Sequence, residues 1–215
     1  MAERVDNYKI QAQQAKKWFL TYDQQELIAR CKLRFDDAFF YTKFLNDKYR
    51  ICRKTGDMER FYDGAWVDGN SHAEVMTILD WLCDSRPDRY ITGRWVNIIS
   101  QNHSFHNDLQ QDTRDPYAEL FSQDLDAFRT ACFAMGGEAF PGGDAACTVE
   151  IIDGLRVLLQ LWCADEDFSA QLRIFWDENA TRYIRYETTW FATGLLLQRL
   201  RESFKKMQTE RALWQ

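Results

Sequence analysis

Two apolar runs between residues 146 and 162 are joined by Asp153-Gly154. Val149, Ile151 and Ile152 precede the pair; Leu155, Val157, Leu159 and Leu161 follow it. Asp-Gly suits the two successive positive-φ positions of a type I′ turn, which folds a chain back on itself as a tight hairpin. Strands joined by so short a turn must be antiparallel, so this pair constrains the fold more than any other feature. A helix through 150–158 would contradict the strand assignments around it.

The rest of the chain reads in the same terms. Tyr8, Ala12, Ala15 and Phe19 recur at helical spacing, and residues 7–20 and 23–32 read as two helices, with Asp23 capping the second. Residues 39–45 and 49–54 flank Asn46-Asp47 as a hairpin, with further turns at Thr55-Gly56-Asp57 and Asp63-Gly64. Ser71 and Glu74 form a capping box that starts a helix running to about Cys83. Trp95 to Ile99 reads as a short strand, and residues 100–114 as polar and irregular. Asp115-Pro116 opens a helix whose Tyr117, Phe121, Leu125, Phe128, Cys132 and Met135 share a face, and Gly136-Gly137 closes it. After the hairpin come a strand over Gln171 to Trp176 and a helix from about Thr188 to Gln208. Phe191, Leu195, Leu196, Leu200 and Phe204 are expected to face inward, with Phe121, Phe128, Leu159, Leu161 and Phe191 in one core.

Hairpins rather than βαβ crossovers connect the strands. The expected class is α+β: a mainly antiparallel sheet packed against several helices in a single compact domain over 1–215, with the helices of 1–35 as a peripheral extension. The longest apolar run falls far short of the roughly 20 residues needed to span a bilayer. The N-terminus lacks the basic-then-apolar order of a signal peptide. These features set the expectation of a cytoplasmic protein with no membrane partner.

A formal net charge of −6 argues against a general nucleic-acid binder. The charge is unevenly spread. Residues 1–60 carry 13 Lys and Arg against 9 Asp and Glu, net +4, while residues 61–200 carry 10 against 22, net −12. The acidic stretch reads either as a compositional preference for Arg or as a face that meets a cation or a basic partner. The cysteines at 31, 52, 83, 132, 147 and 163 include no close pair, so a thiolate zinc or iron–sulfur site is not expected and the thiols read as packing.

From residue 115 onward the chain resembles a prokaryotic family, domain of unknown function 3786. The resemblance rests on Gly93-Arg94-Trp95-Val96, on the Phe-rich helix ending at Gly136-Gly137, and on the run from Leu159 to Phe168. It continues through Ile174-Phe175-Trp176-Asp177 to Tyr186-Glu187 and covers roughly residues 70–200. The resemblance implies iron–sulfur proteins as partners, since some members are fused to cluster modules in anaerobes. It implies no reaction, and the clustered cysteines of such a module are missing here.

Each candidate site competes with a plainer role. His103 and His106 have a spacing that on a helix would chelate a divalent metal, with Asp108 or Asp112 as a third ligand. Their flanks read as loop, which favours solvated histidines, and the residues around them do not fit the family's pattern. Asp165-Glu166-Asp167, Asp177-Glu178 and Glu187 form the densest acid group. The first two groups lie at opposite ends of one strand, roughly 20 Å apart, too far for a paired-carboxylate site. Trp95, Trp162 and Trp176, with Asp165, Glu166, Asp167 and Glu187, are the candidate lining of a ligand or partner pocket, against a default of core packing. Gly-x-Ser-x-Gly, Walker A and Gly-x-Gly-x-x-Gly are absent. The expectation is a binding or accessory module that engages a protein partner or a small ligand, without a cofactor. The alternative is a metal-assisted enzyme or cofactor-handling protein that uses His103, His106 and nearby acids.

Overall fold

The computed structural model describes residues 7–98 and 115–212. The chain is α+β and forms two compact units, Met1–Tyr90 with Thr181–Leu195, and Ile91–Ala180 with Leu196–Gln215. Each contains a five-stranded antiparallel sheet. Among the described residues no helix is long and apolar enough to cross a membrane.

The first unit begins with α1 (Asn7–Phe19) and α2 (Gln24–Cys31). Asp23 caps α2 as its sequence predicts, accepting from the backbone N–H groups of Gln25 and Glu26. A meander follows: β1 (Arg34–Phe35), β2 (Phe39–Phe44), β3 (Asp47–Cys52), β4 (Met58–Tyr62) and β5 (Ala65–Val67), each strand pairing with the next. The β2–β3 turn uses Leu45 and Asn46, with φ of 48° and 66°, one residue earlier than the expected Asn46-Asp47. Phe40, Phe44, Tyr49, Ile51 and Met58 form the buried side of the sheet. Phe19 of α1 meets Phe40 edge-on at 6.2 Å. Gly56 lies beneath α1, where an added Cβ would stand 3.2 Å from both Lys16 and Phe19, and its φ of +72° favours glycine again.

The next helix, α3 (His72–Asp84), is buried almost all round: Glu74, Val75 and every residue from Thr77 to Cys83 are covered. Its capping box forms as expected, with Ser71 and Glu74 bonding each other's backbone N–H. The same Glu74 carboxylate accepts from the Tyr49 hydroxyl at 2.6 Å, which ties the helix start to β3. At the other end Arg30 of α2 donates to the carbonyls of Leu82 and Cys83, supplying partners that the last turn lacks.

The second unit holds β6 (Trp95–Val96), α4 (Pro116–Phe121), α5 (Leu125–Ala134), β7 (Glu138–Ala139), β8 (Ala145–Ile152), β9 (Leu155–Trp162) and β10 (Gln171–Asp177). The sheet order is β6-β10-β9-β8-β7. Asp153 and Gly154 take φ of 52° and 78° and close the β8–β9 hairpin, as the sequence requires. The single helix expected from Asp115 is two helices. Asp115 and Pro116 start α4, but Asp124 takes an extended backbone and caps a fresh helix through the Ala127 N–H. Gly137 follows α5 at a close approach: a Cβ there would meet the Cys132 carbonyl at 2.6 Å and the Thr148 carbonyl at 2.9 Å.

The last helix, α6, runs Tyr186–Ala212, longer than expected. Its residues from Leu196 belong to the second unit, where Phe204 packs on Phe121 at 5.3 Å and Phe121 on Phe128 at 5.4 Å. Phe191 does not share that core. It belongs to the first unit, half-buried, against His72. One periodic pattern along the helix concealed two destinations. Truncating the fully buried Phe128 to Ala is expected to cost about 3–5 kcal/mol in urea unfolding, from lost burial plus a cavity. A loss under about 1 kcal/mol would contradict the assignment of that face.

Candidate functional site

The sequence-predicted residues do not assemble into one pocket. Trp162 pairs with Gln171, whereas Trp176 pairs with Val157. Five residues of strand, about 17 Å, separate them, and the alternation of the strand sends them to opposite faces. Trp176 is 1 % exposed and belongs to the core. Trp162 is half-buried beneath the Arg173 guanidinium, 5.1 Å from the ring centroid. Trp95 sits beside Asp177 on the sheet edge and packs on Phe140. Asp165 builds a turn by accepting from the N–H groups of Asp167 and Phe168, and Glu166 and Asp167 are exposed there. Asp177 is buried and fully engaged. It accepts from the Thr92 N–H and hydroxyl and the Gly93 N–H on one oxygen, and from the Asn179 N–H on the other. His103, His106, Asp108 and Asp112 lie outside the described residues. Among the described residues no group of three or more His, Cys, Asp and Glu could hold a metal ion.

Of that set, Glu187 borders a cavity in the first unit. The cavity lies between α1, α3 and the start of α6, with a volume of about 840 Å³. Leu79, Asp80 and Cys83 of α3 form its floor; Gln14 and Trp18 of α1 and Phe191 of α6 stand around it. Asp80 is the centre of the arrangement. It is 3 % exposed, yet it sits one residue after Leu79 and before Trp81 in the middle of a buried helix. Its carboxylate accepts from the backbone N–H of Arg185 at 2.7 Å and from the Arg185 Nε. Arg185 immediately precedes α6, so the carboxylate also faces the positive end of that helix.

A chain of polar contacts extends from this pair. Arg185 Nε also approaches the Asp84 carboxylate at 3.5 Å. Asp84 accepts from the Tyr22 hydroxyl at 3.1 Å, and Tyr22 in turn accepts from the Trp18 indole N–H at 2.9 Å. Asp80 and Asp84 share a helix face because they are four residues apart. Beyond the cavity's end, His72 packs edge-on against Phe191 and bonds Gln11 through Nε2.

Electrostatics follow from burial. Burial pushes the Asp80 carboxyl up from its ordinary value, against the opposing pull of Thr188 and Arg185. Burial acts to lower Arg185, but the Asp80, Asp84 and Glu187 carboxylates outweigh it and hold the guanidinium charged. Burial and the Asp84 charge raise the Tyr22 phenol. Burial, aided by Asp84, pushes the Cys83 thiol up to about 12, so it is a neutral, unreactive part of the floor. The charged groups lining the cavity are Lys17 and Arg185 against Asp80, Asp84 and Glu187, an excess of one negative charge. The arrangement can hold a small molecule with apolar surface and hydrogen-bond donors.

Asp80 carries the site and is not among the sequence-predicted residues. A signal for it exists: Val75 to Cys83 contains one charged residue, in a helix apolar on nearly every side. Such a helix is buried, and a charge inside it needs a partner. The folded chain holds the Asp80 proton to a higher pH than the roughly 3.9 of an unfolded aspartate. The stabilisation this contributes is complete below the unfolded value and is lost as pH rises through the folded one. Wild type is therefore expected to lose stability relative to Asp80→Asn as pH rises from 4 to 7.5. Urea unfolding of both proteins across that range checks this, and a wild-type advantage that grows with pH would contradict it.

No curated protein and no solved structure shows significant similarity to this chain. A family profile does match, over residues 23–199, a span that includes α2, both sheets, α3 and the start of α6, while α1 precedes it. With more than half of its length matched, the chain belongs to the family described as Domain of unknown function (DUF3786).

Proposed function

We propose that the protein is a binding module whose first unit takes a small organic molecule in the groove between α1, α3 and the start of α6. The observation that carries this reading is the buried Asp80 carboxylate, paired with the half-exposed Arg185, at the floor of a cavity of about 840 Å³. That volume falls in the range of small-molecule sites, which combine apolar walls with a few fixed polar groups. Leu79, Met76, Trp18 and Phe191 supply the apolar surface. Arg185 is engaged by Asp80 and borders Asp84, so the pair presents oriented polarity rather than an open cation. With one negative charge in excess, the groove favours a neutral or singly cationic ligand over an anion.

The test is a thermal-shift screen of neutral, cationic and anionic metabolites, followed by calorimetry on the hits. Gln14→Trp fills the groove from an exposed position of α1 without disturbing the core. Hits are expected among neutral and cationic compounds, with Gln14→Trp weakening them at least about tenfold, which corresponds to roughly 1.4 kcal/mol. Hits restricted to anions, or hits indifferent to Gln14→Trp, would overturn the reading.

A further inference from the structure

The sheet of the first unit has a second face, which the groove does not use. Pairing of Tyr41 with Arg50, Arg50 with Glu59, and Phe61 with Trp66 places these side chains on the side opposite Phe40, Tyr49 and Ile51. Phe39, Tyr41, Trp66 and Phe61 form a continuous run of rings there, with successive centroids 6.5, 6.1 and 5.2 Å apart. Arg50 stands in the middle, 4.2 Å from Phe39 and 4.8 Å from Trp66, and is paired with Glu59. It stiffens the run and is spent in doing so.

The cations around the rings are in a different position. Lys48 lies 5.6 Å from the Phe61 centroid and Arg34 5.9 Å from Tyr41, and both are exposed, as is Lys43. Phe61 is itself 37 % exposed. The face carries Arg34, Lys43, Lys48 and Arg50 against Glu59. Asp36 lies at one edge, held by the Tyr41 hydroxyl at 2.6 Å. This local excess is opposite in sign to the chain's net charge of −6, which argues only against unspecific attraction over the whole surface.

An exposed Phe61 and half-buried Tyr41 and Trp66, flanked by exposed cations on an antiparallel sheet, suit a polyanion that also carries flat rings. Bases stack on aromatic faces while phosphates meet Lys and Arg. An acidic peptide would satisfy the cations but not the rings, whose negative faces repel carboxylates. We propose that the outer face of the β1–β5 sheet binds single-stranded nucleic acid, with bases on Tyr41, Trp66 and Phe61 and phosphates on Arg34, Lys43 and Lys48. This site is independent of the groove.

Fluorescence anisotropy of the full chain with a fluorescein-labelled oligouridine of about 10 nucleotides, and with its thymidine counterpart, tests the proposal. Saturable binding is expected, weakening with salt at a log–log slope of about −2 for three phosphate contacts on a single strand. Phe61→Ala, at an exposed position, is expected to weaken binding about tenfold through loss of one stacked base. Lys43→Gln with Lys48→Gln is expected to make the slope shallower by about 1.4. Circular dichroism confirms that each variant is folded. Absence of saturable binding at low salt overturns the proposal. So does binding unchanged by Phe61→Ala, equal affinity for a duplex of the same length, or equal affinity for oligoglutamate, the outcome expected of a site for an acidic protein segment.

Discussion

A carboxylate cannot stay in a protein interior without partners, and Asp80 is where this constraint acts on the first unit. Taking the charge out of water costs several kcal/mol unless hydrogen bonds and an opposite charge offset it. The partners come from the entry to α6: Arg185, through both its backbone N–H and its guanidinium, and the Thr188 side chain. Because Arg185 directly precedes α6, satisfying Asp80 fixes where that helix begins against α3. The cavity between α1, α3 and α6 is then a consequence of the pair: its floor is α3, and the position of one wall follows from Arg185.

The other buried polar groups of α3 obey the same rule by local means. Glu74 closes the capping box and takes the Tyr49 hydroxyl. Thr77 donates back to the Ala73 carbonyl one turn earlier. In the second unit Asp177 is the counterpart, with backbone and hydroxyl donors in place of a cation. Asp177 finds its donors in the loop just before β6 and in the turn after β10, and it serves to fasten the edge of the sheet. Asp80 finds a cation that is itself half in water, 56 % exposed at the side chain. That difference separates a structural lock from a group that borders a cavity.

Much of the fold was legible because its signals are local. Asp153-Gly154 specifies a turn from two residues, and Ser71 with Glu74 specifies a helix start from four. Gly56 and Gly137 show why other turns sit where they do, but only through neighbours the sequence does not announce. The strands β1, β5 and β7 contain two or three residues each, too few for any periodicity to register. The break between α4 and α5 turns on Asp124, one acid among several, whose capping role shows only in its backbone. The site was the least legible part. Trp162 and Trp176 invite a shared pocket by proximity in sequence, but strand register sends them apart. Asp80 and Arg185 are 105 residues apart and meet only through the tertiary fold.

The central claim is that Asp80 and Arg185 are energetically coupled and together set the geometry of the groove. A double-mutant cycle of Asp80→Asn and Arg185→Gln, read by urea unfolding at pH 7, isolates that coupling from the other effects of each substitution. Arg185 is half solvated, which reduces the pair's worth below that of a fully buried one. The account predicts a favourable interaction energy of about 1–2 kcal/mol. Additive losses, with an interaction energy below about 0.3 kcal/mol, would contradict it.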